Sequence, residues 1–217
     1  MKDSVSISAF DLDYTLIKGN SSANFCRFLY KEKVLPFSAL MHSGLYYFRY
    51  HLFGMSLKDL HQSTFEWILR GKSLELLEHY ADRFVNEYLM HGLYMPAFER
   101  LKQAQQLGHY TMILSNSPSF LVKRFAKCLG VQEFRATEYA VDEEKRLAAI
   151  DHIFEGEDKA SHLEKIVAKL GIIRQQVTAY SDSILDLAFL QAAGHAIAVN
   201  PDRKLRAFSL KNQWGII

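Results

Sequence analysis

The chain has only two cysteines in 217 residues, Cys26 and Cys128, and they form no Cys-x-x-Cys pair. A disulfide framework and a zinc knuckle are therefore not expected, and a reducing cytoplasm fits. Both thiols read as small buried hydrophobes. The nine histidines include no His-Glu-x-x-His pattern, so the simplest zinc-hydrolase reading falls away. No Gly-x-Gly-x-x-Gly loop follows the first strand, which disfavours a nicotinamide-binding domain. There is no run of lysine and arginine, and the formal net charge is only +2. Nothing there draws the chain toward nucleic acid. Repeats, low-complexity tracts and a charged-then-apolar leader are also missing.

Long apolar runs are scarce as well. The nearest to one is VLPFSALMHSGLYYFRYHLFGMS, Val34 to Ser56, interrupted by His42, Arg49 and His51 and by Pro36, Gly44 and Gly54. A membrane-spanning helix needs around 20 predominantly apolar residues. The stretch reads instead as the wall of an apolar pocket or as a membrane-facing surface. Otherwise the composition, 49% hydrophobic and 23% charged, is that of an ordinary globular protein. The length allows one core, or a core plus a smaller inserted domain.

What is present begins with FDLDYTL, residues 10–16. Val5 to Phe10 reads as a β-strand, and the period of two puts Asp11 and Asp13 on the same side. Two such carboxylates repel each other. A fold accepts this where a cation binds between them or where one holds a proton for chemistry. An Asp-rich turn closing a strand is the alternative.

Residues 19–92 show no convincing strand. Leu77, Tyr80, Ala81, Phe84, Val85 and Tyr88 trace one face of a helix from about Ser73 to Leu89. Leu60, Thr64, Trp67 and Ile68 give a second stripe, and Phe25, Phe28 and Leu29 a third, so the segment reads as a helical bundle. Strand–helix alternation resumes with helices at 96–107, 118–129, 160–170 and 185–193, and a last one starting at Pro201. The strands fall at 110–114, 177–180 and 196–199, with a short strand or a hairpin across 134–150. This is the pattern of an α/β fold with a parallel sheet covered on both faces. The serines of the first strand fit a buried parallel strand poorly.

In such sheets ligands bind beyond the carboxyl ends of the strands. The first strand ends in Asp11 and Asp13, and the second in Ser115-Asn116-Ser117 before a helix start able to hold an anion. The strand at 177–180 ends in Ser181-Asp182-Ser183, with Asp186 four residues after Asp182. Lys159 stands at a loop-to-helix junction after Gly156. Each has an ordinary alternative: Ser115 and Ser117 as helix caps, Asp182 and Asp186 as a cap and a first-turn charge, Lys159 as a surface lysine. In this order, the ordinary account needs four coincidences.

FDLDYTL, ILSNS, DKASHLEKI and YSDSILD together resemble the four motifs of the haloacid dehalogenase superfamily. The match is to its phosphoserine-phosphatase-like branch, where a helical cap follows the first motif. The closing AVNPDRKLR is similar to that branch too. The resemblance implies a Rossmann-like, doubly wound catalytic core at 1–18 and 93–217 and an inserted all-helical cap at 19–92. It implies Asp11 as nucleophile forming an aspartyl-phosphate and Asp13 as general acid/base. It implies Mg²⁺ held by Asp11, Asp13 (through its carbonyl) and Asp182. Ser115, Asn116 and Lys159 would bind phosphate, with Lys159 also offsetting charge in the transition state. Asp186, Thr15 and Ser183 would support them.

The match departs from phosphoserine phosphatases at a few positions. Their substrate-binding glutamate aligns with Asn20, which lacks the charge to hold an ammonium, and Asn116 and Leu185 replace other family residues. Residues 25–67 also hold eleven of the 28 aromatics. The expectation is a cytoplasmic Mg²⁺-dependent phosphatase of a small phosphorylated metabolite other than phosphoserine. Alternatives are a lipid-linked or phosphatidylglycerophosphate-like substrate, phosphoserine itself (with Glu66 or Glu75 as ammonium ligand), or a non-catalytic binding module. No nucleic-acid partner is expected, and membrane contact only through the aromatic-rich cap.

Overall fold

The structure is a computed structural model that describes residues 6–53 and 56–217. Val5, at the head of the expected first strand, and Gly54, in the apolar stretch, lie outside the described residues.

β1 (Ile7–Phe10) leads into helices α1 (Ser21–Lys31), α2 (Phe37–Phe53), α3 (Leu57–Thr64) and α4 (Leu74–Gly92). Then come α5 (Met95–Gln106), β2 (Tyr110–Pro118), α6 (Ser119–Leu129) and the hairpin of β3 (Glu133–Val141) with β4 (Leu147–His152). The chain closes with α7 (Gly156–Leu170), β5 (Val177–Ser181), α8 (Leu187–Ala192), β6 (His195–Ala198), α9 (Arg203–Lys211) and β7 (Gly215–Ile216). The sheet order is β4-β3-β2-β1-β5-β6-β7, parallel except where β4 folds back on β3.

β1 is central, with Ile7 opposite both Tyr110 and Val177. Its side chains alternate between two cores. Ile7 and Ala9 join Met112 and Leu114 against α7, α8 and α9, whereas Phe10 and Ile113 face α5 and α6. Helices on both faces make this an α/β doubly wound sheet, as expected. Ser8 is only 2% exposed, and its hydroxyl lies 3.0 Å from His109 Nδ1. A small polar residue with a partner is accommodated in a buried strand.

α4 buries the expected stripe, Leu77, Ala81, Phe84 and Val85, and Phe84 meets Phe25 and Phe28 of α1 at ring distances of 5.5 and 5.6 Å. The stripe from Leu60 to Ile68 is corrected. A π-helical turn, Phe65–Leu69, rotates the chain so that Phe65, Ile68 and Leu69 are buried and Trp67 is 58% exposed. Cys128 is also corrected: it is exposed on the outer face of α6, while Cys26 is buried. Phe37, Met41 and Leu45 of α2 stand exposed. No helix among the described residues is long and apolar enough to cross a membrane.

Boundaries moved where caps decided them. α7 begins at Gly156, with the Glu155 amide donating to Asp158 Oδ2 at 3.0 Å. α9 begins at Arg203 because Asp202 caps it, accepting from Leu205 N at 2.8 Å, so Pro201 lies before the helix. β7 is too short to leave a pattern in sequence.

Candidate active site

β1 stops at Phe10, but the Asp11 amide still donates to Tyr180 O at 2.9 Å, so Asp11 continues the line of the central strand. Leu12 turns into the core, fully buried, and Asp11 and Asp13 share the opposite side. The turn is tight: Leu12 O accepts from the amides of Leu16 and Ile17, and Tyr14 takes a left-handed φ of 56°. Asp13 is held by two donors at 2.5 Å, the first amide of α1 (Ser21) and the Ser117 hydroxyl.

Lys159 lies one turn inside α7, not at its junction, and is 2% exposed. Its Nζ is 2.7 Å from both Asp11 Oδ1 and Asp186 Oδ2. Asp186 also accepts from Ser181 Oγ at 2.6 Å, so its side chain is not a helix cap. Asp182 accepts from Thr15 Oγ1 at 3.4 Å. Ser183 caps the turn at 184–186, accepting from Leu185 N at 3.2 Å, and its hydroxyl donates to Asp202 at 3.3 Å.

β2 runs four residues further than expected, so Ser115, Asn116 and Ser117 belong to the strand, across a register shift against β3. Neither serine caps α6. Ser115 is fully buried, its Oγ accepting from the Ser117 amide at 3.2 Å. Asn116 is anchored through its carbonyl, which accepts from Thr137 at 2.7 Å. Asn20 caps α1, its Oδ1 accepting from Ala23 N at 2.9 Å.

These groups surround one cavity of about 740 Å³. Asp11, Asp13, Asn116, Lys159, Asp182 and Asp186 reach it, as do Asn20 and Ser183; Ser115 and Thr15 stand behind its wall. Reading the sequence missed Ser21, and gave no role at the site to Ser181 or to Asp202, Arg203 and Lys204 of AVNPDRKLR. The run Asn20-Ser21-Ser22 and the Asp202-Arg203-Lys204 helix start were the available signals. Ser117 was read as part of the strand end or as a helix cap, without the bond that it makes to Asp13.

Burial dominates the electrostatics. It pushes Asp11 up to about 7, against the pull of Lys159 and with the charges of Asp186 and Asp13 adding to the rise. Burial, then the charges of Asp11 and Asp186, raise Asp182 to about 8. Asp13 is also raised by burial, with Ser117 and Ser21 opposing. Burial alone would lower Lys159, but Asp11 and Asp186 outweigh it and keep the ammonium charged. The mutual repulsion of Asp11 and Asp182 is what a hard cation would relieve. Among the described residues no three His, Cys, Asp or Glu side chains form a ready cage. The donor set still suits Mg²⁺, which takes one or two carboxylates and fills its shell with water and phosphate oxygens.

Comparison with known proteins gives a consistent picture. A family model of haloacid dehalogenase-like hydrolases matches residues 9–191. A probable phosphatase of Mycobacterium tuberculosis is 26% identical over 210 residues, 96% of this chain and 73% of that protein. A Bordetella pertussis protein of unknown function superposes with TM-score 0.86 at 22% identity, covering 99% of this chain and 98% of that one. A phosphoserine phosphatase solved as a phospho-aspartyl intermediate analogue gives 0.70 at 17% identity, over 99% and 93%. Both structural likenesses bear on the fold alone.

Proposed function

We propose that this chain, which belongs to the haloacid dehalogenase-like hydrolase family and is a phosphatase-like hydrolase of that family, hydrolyses a phosphomonoester through Asp11. The observation that carries the reading is the Lys159 ammonium set between Asp11 and Asp186 at 2.7 Å in the floor of the cavity. Asp11 Oδ attacks phosphorus as the bond to the alcohol oxygen breaks, and the proton on Asp13 passes to that oxygen. Burial raises the Asp13 carboxyl above the ordinary carboxylate range, which favours its holding that proton. In the second half Asp13 takes a proton from water as the water displaces Asp11 from phosphorus. Lys159 and Asn116 bind the phosphoryl oxygens, and Asp186 orients Lys159. For Ser115, whose oxygen already accepts from the Ser117 amide, the hydroxyl proton is the part that could serve the phosphate. Asp11, the Asp13 carbonyl and Asp182 would hold Mg²⁺, supported by Thr15; when bound it supplies charge against the phosphoryl oxygens.

In this reading residues 1–18 and 93–217 are the catalytic core and 19–92 the cap that selects substrate. Free phosphoserine is disfavoured by Asn20, whose side-chain oxygen is engaged in capping α1. Loss of one charge-assisted hydrogen bond, ~1.5–3 kcal/mol, weakens discrimination for an amino-acid phosphate by about one to two orders of magnitude. The test of the mechanism is Asp11→Asn. It should abolish hydrolysis of p-nitrophenyl phosphate while circular dichroism stays unchanged. Appreciable residual turnover would exclude the aspartyl-phosphate route.

A further inference from the structure

The charged groups of the cavity come from one side only. Asp11, Asp13, Lys159, Asp182, Asp186 and the start of α9 all belong to segments following β1, β4, β5 and β6. The helices between β1 and β2 add Phe25, Leu60, Phe65, Ile68 and Leu69, with polar but uncharged Asn20, Ser22 and Thr64. The apolar surface is continuous across the two parts. Phe25 meets Phe120 at a ring distance of 6.1 Å, Phe120 meets Tyr139 at 6.2 Å, and Tyr139 meets Phe65 at 5.7 Å.

Two titratable groups on those helices also face the cavity, and both are neutral near pH 7. Burial lowers His61 to about 4 and pushes the Cys26 thiol up to about 12. Among the described residues, no acidic residue of those helices reaches the cavity. Glu66 is exposed and pairs with Arg70 at 2.7 Å, and neither Glu66 nor Glu75 reaches the cavity. An amino-acid phosphate whose ammonium and carboxylate lay along this wall, and not toward Asp202, Arg203 and Lys204, would set both charges against hydrocarbon. An unpaired charge in such a place is strongly disfavoured. The volume, about 740 Å³, is that of a pocket for a drug-sized ligand rather than for a three-carbon unit.

We infer that the alcohol part of the substrate is uncharged and mainly apolar, large enough to lie along the wall of Phe25, Phe120, Tyr139 and Phe65. The inference rests on the phosphatase reading above and adds the chemical class of the leaving group. The aromatic rings that build this wall belong to a contact chain that joins the helical segment to the sheet. They therefore serve as packing and as recognition surface together.

The test is phosphate release by the full chain with Mg²⁺ from n-alkyl phosphates, ethyl to octyl, beside L-phosphoserine and phosphoethanolamine. kcat/KM should climb by up to about fourfold per methylene, the equivalent of ~0.8 kcal/mol per buried CH₂, until the cavity is filled. Hexyl phosphate should exceed L-phosphoserine by about 100-fold or more. A flat alkyl series, or L-phosphoserine or phosphoethanolamine as the best substrate, overturns the inference. Thr64→Glu provides a second arm by placing a carboxylate on the wall. The ratio of kcat/KM for hexyl phosphate to that for phosphoethanolamine should fall at least tenfold, and because both rates come from one sample, partial unfolding cannot produce the change. An unchanged ratio also overturns it. p-Nitrophenyl phosphate separates the two levels: if the wild type does not hydrolyse it, the phosphatase reading itself fails.

Discussion

Gly156→Ala should damage both stability and rate, and the structure says by how much. Gly156 is the first residue of α7, and a Cβ built on it would lie 2.3 Å from the carbonyl oxygen of Leu185. Ordinary contact begins near 3.4 Å, so about 1 Å of separation is needed, and the obstacle is backbone. Its φ is not left-handed, so the cost is steric and not conformational. Relief requires the first turn of α7, with Lys159, to move away from the turn at 184–186, with Asp186. The 2.7 Å contact of Lys159 with Asp186 would then lengthen to ~3.7 Å, past the limit of a hydrogen bond. Overpacking of this kind costs ~1–3 kcal/mol, offset in part by alanine's better helix propensity, up to ~1 kcal/mol. A net loss of roughly 1–2 kcal/mol lowers Tm by about 2–8 °C in a chain of this size. A catalytic group displaced by ~1 Å can cost about 100-fold in rate. Thermal unfolding and p-nitrophenyl phosphate turnover measure both. Gly44→Ala is the control, since its Cβ meets nothing within 4 Å in the middle of α2; it should gain ~0.5–1 kcal/mol. If Gly156→Ala matches the wild type in Tm and kcat while Gly44→Ala behaves as stated, the close approach does not position Lys159.

Asp182→Asn should weaken Mg²⁺ activation, seen as a higher metal concentration for half-maximal rate, and EDTA should silence the wild type; full activity after exhaustive dialysis against EDTA contradicts the ligand role. Ser117→Ala removes a 2.5 Å donor to Asp13. Because that bond favours the charged carboxylate, the pH–rate limb belonging to Asp13 should move upward, and an unmoved limb would detach Asp13 from that step. His61, lowered to about 4 by burial, gives an acid-side prediction. The unfolded state takes up a proton near 6.5 and the folded state only near 4, so stability present above pH 6.5 is lost as pH falls toward 4. His61→Phe should flatten that part of the stability profile in urea titrations. A wild-type slope in the variant would assign the acid sensitivity to other groups.

Strand–helix alternation from residue 95 onward and the facial pattern of α4 were readable because both are local: periodicity follows from backbone geometry and the need to bury one face. The carboxylate spacing of Asp11 and Asp13 likewise needs only the period of a strand and the turn that follows. Tertiary contacts decided the rest. Whether Ser115 to Ser117 continue a strand depends on β3 lying beside them, and their own residue types favour a turn or cap. Trp67 left the buried stripe because one wide helical turn changed the phase of the residues after it. The surroundings of Lys159 could not be read from DKASHLEKI, since Asp11 and Asp186 come from distant points in the chain. The same holds for the uncharged wall. By residue type and spacing alone Phe25 and Phe65 read as core, and only their meeting with Phe120 and Tyr139 makes a cavity lined by them. Residue types and spacing determine which chemistry a chain can perform. The fold decides what lies next to it, because burial and long-range contact are properties of the packed chain.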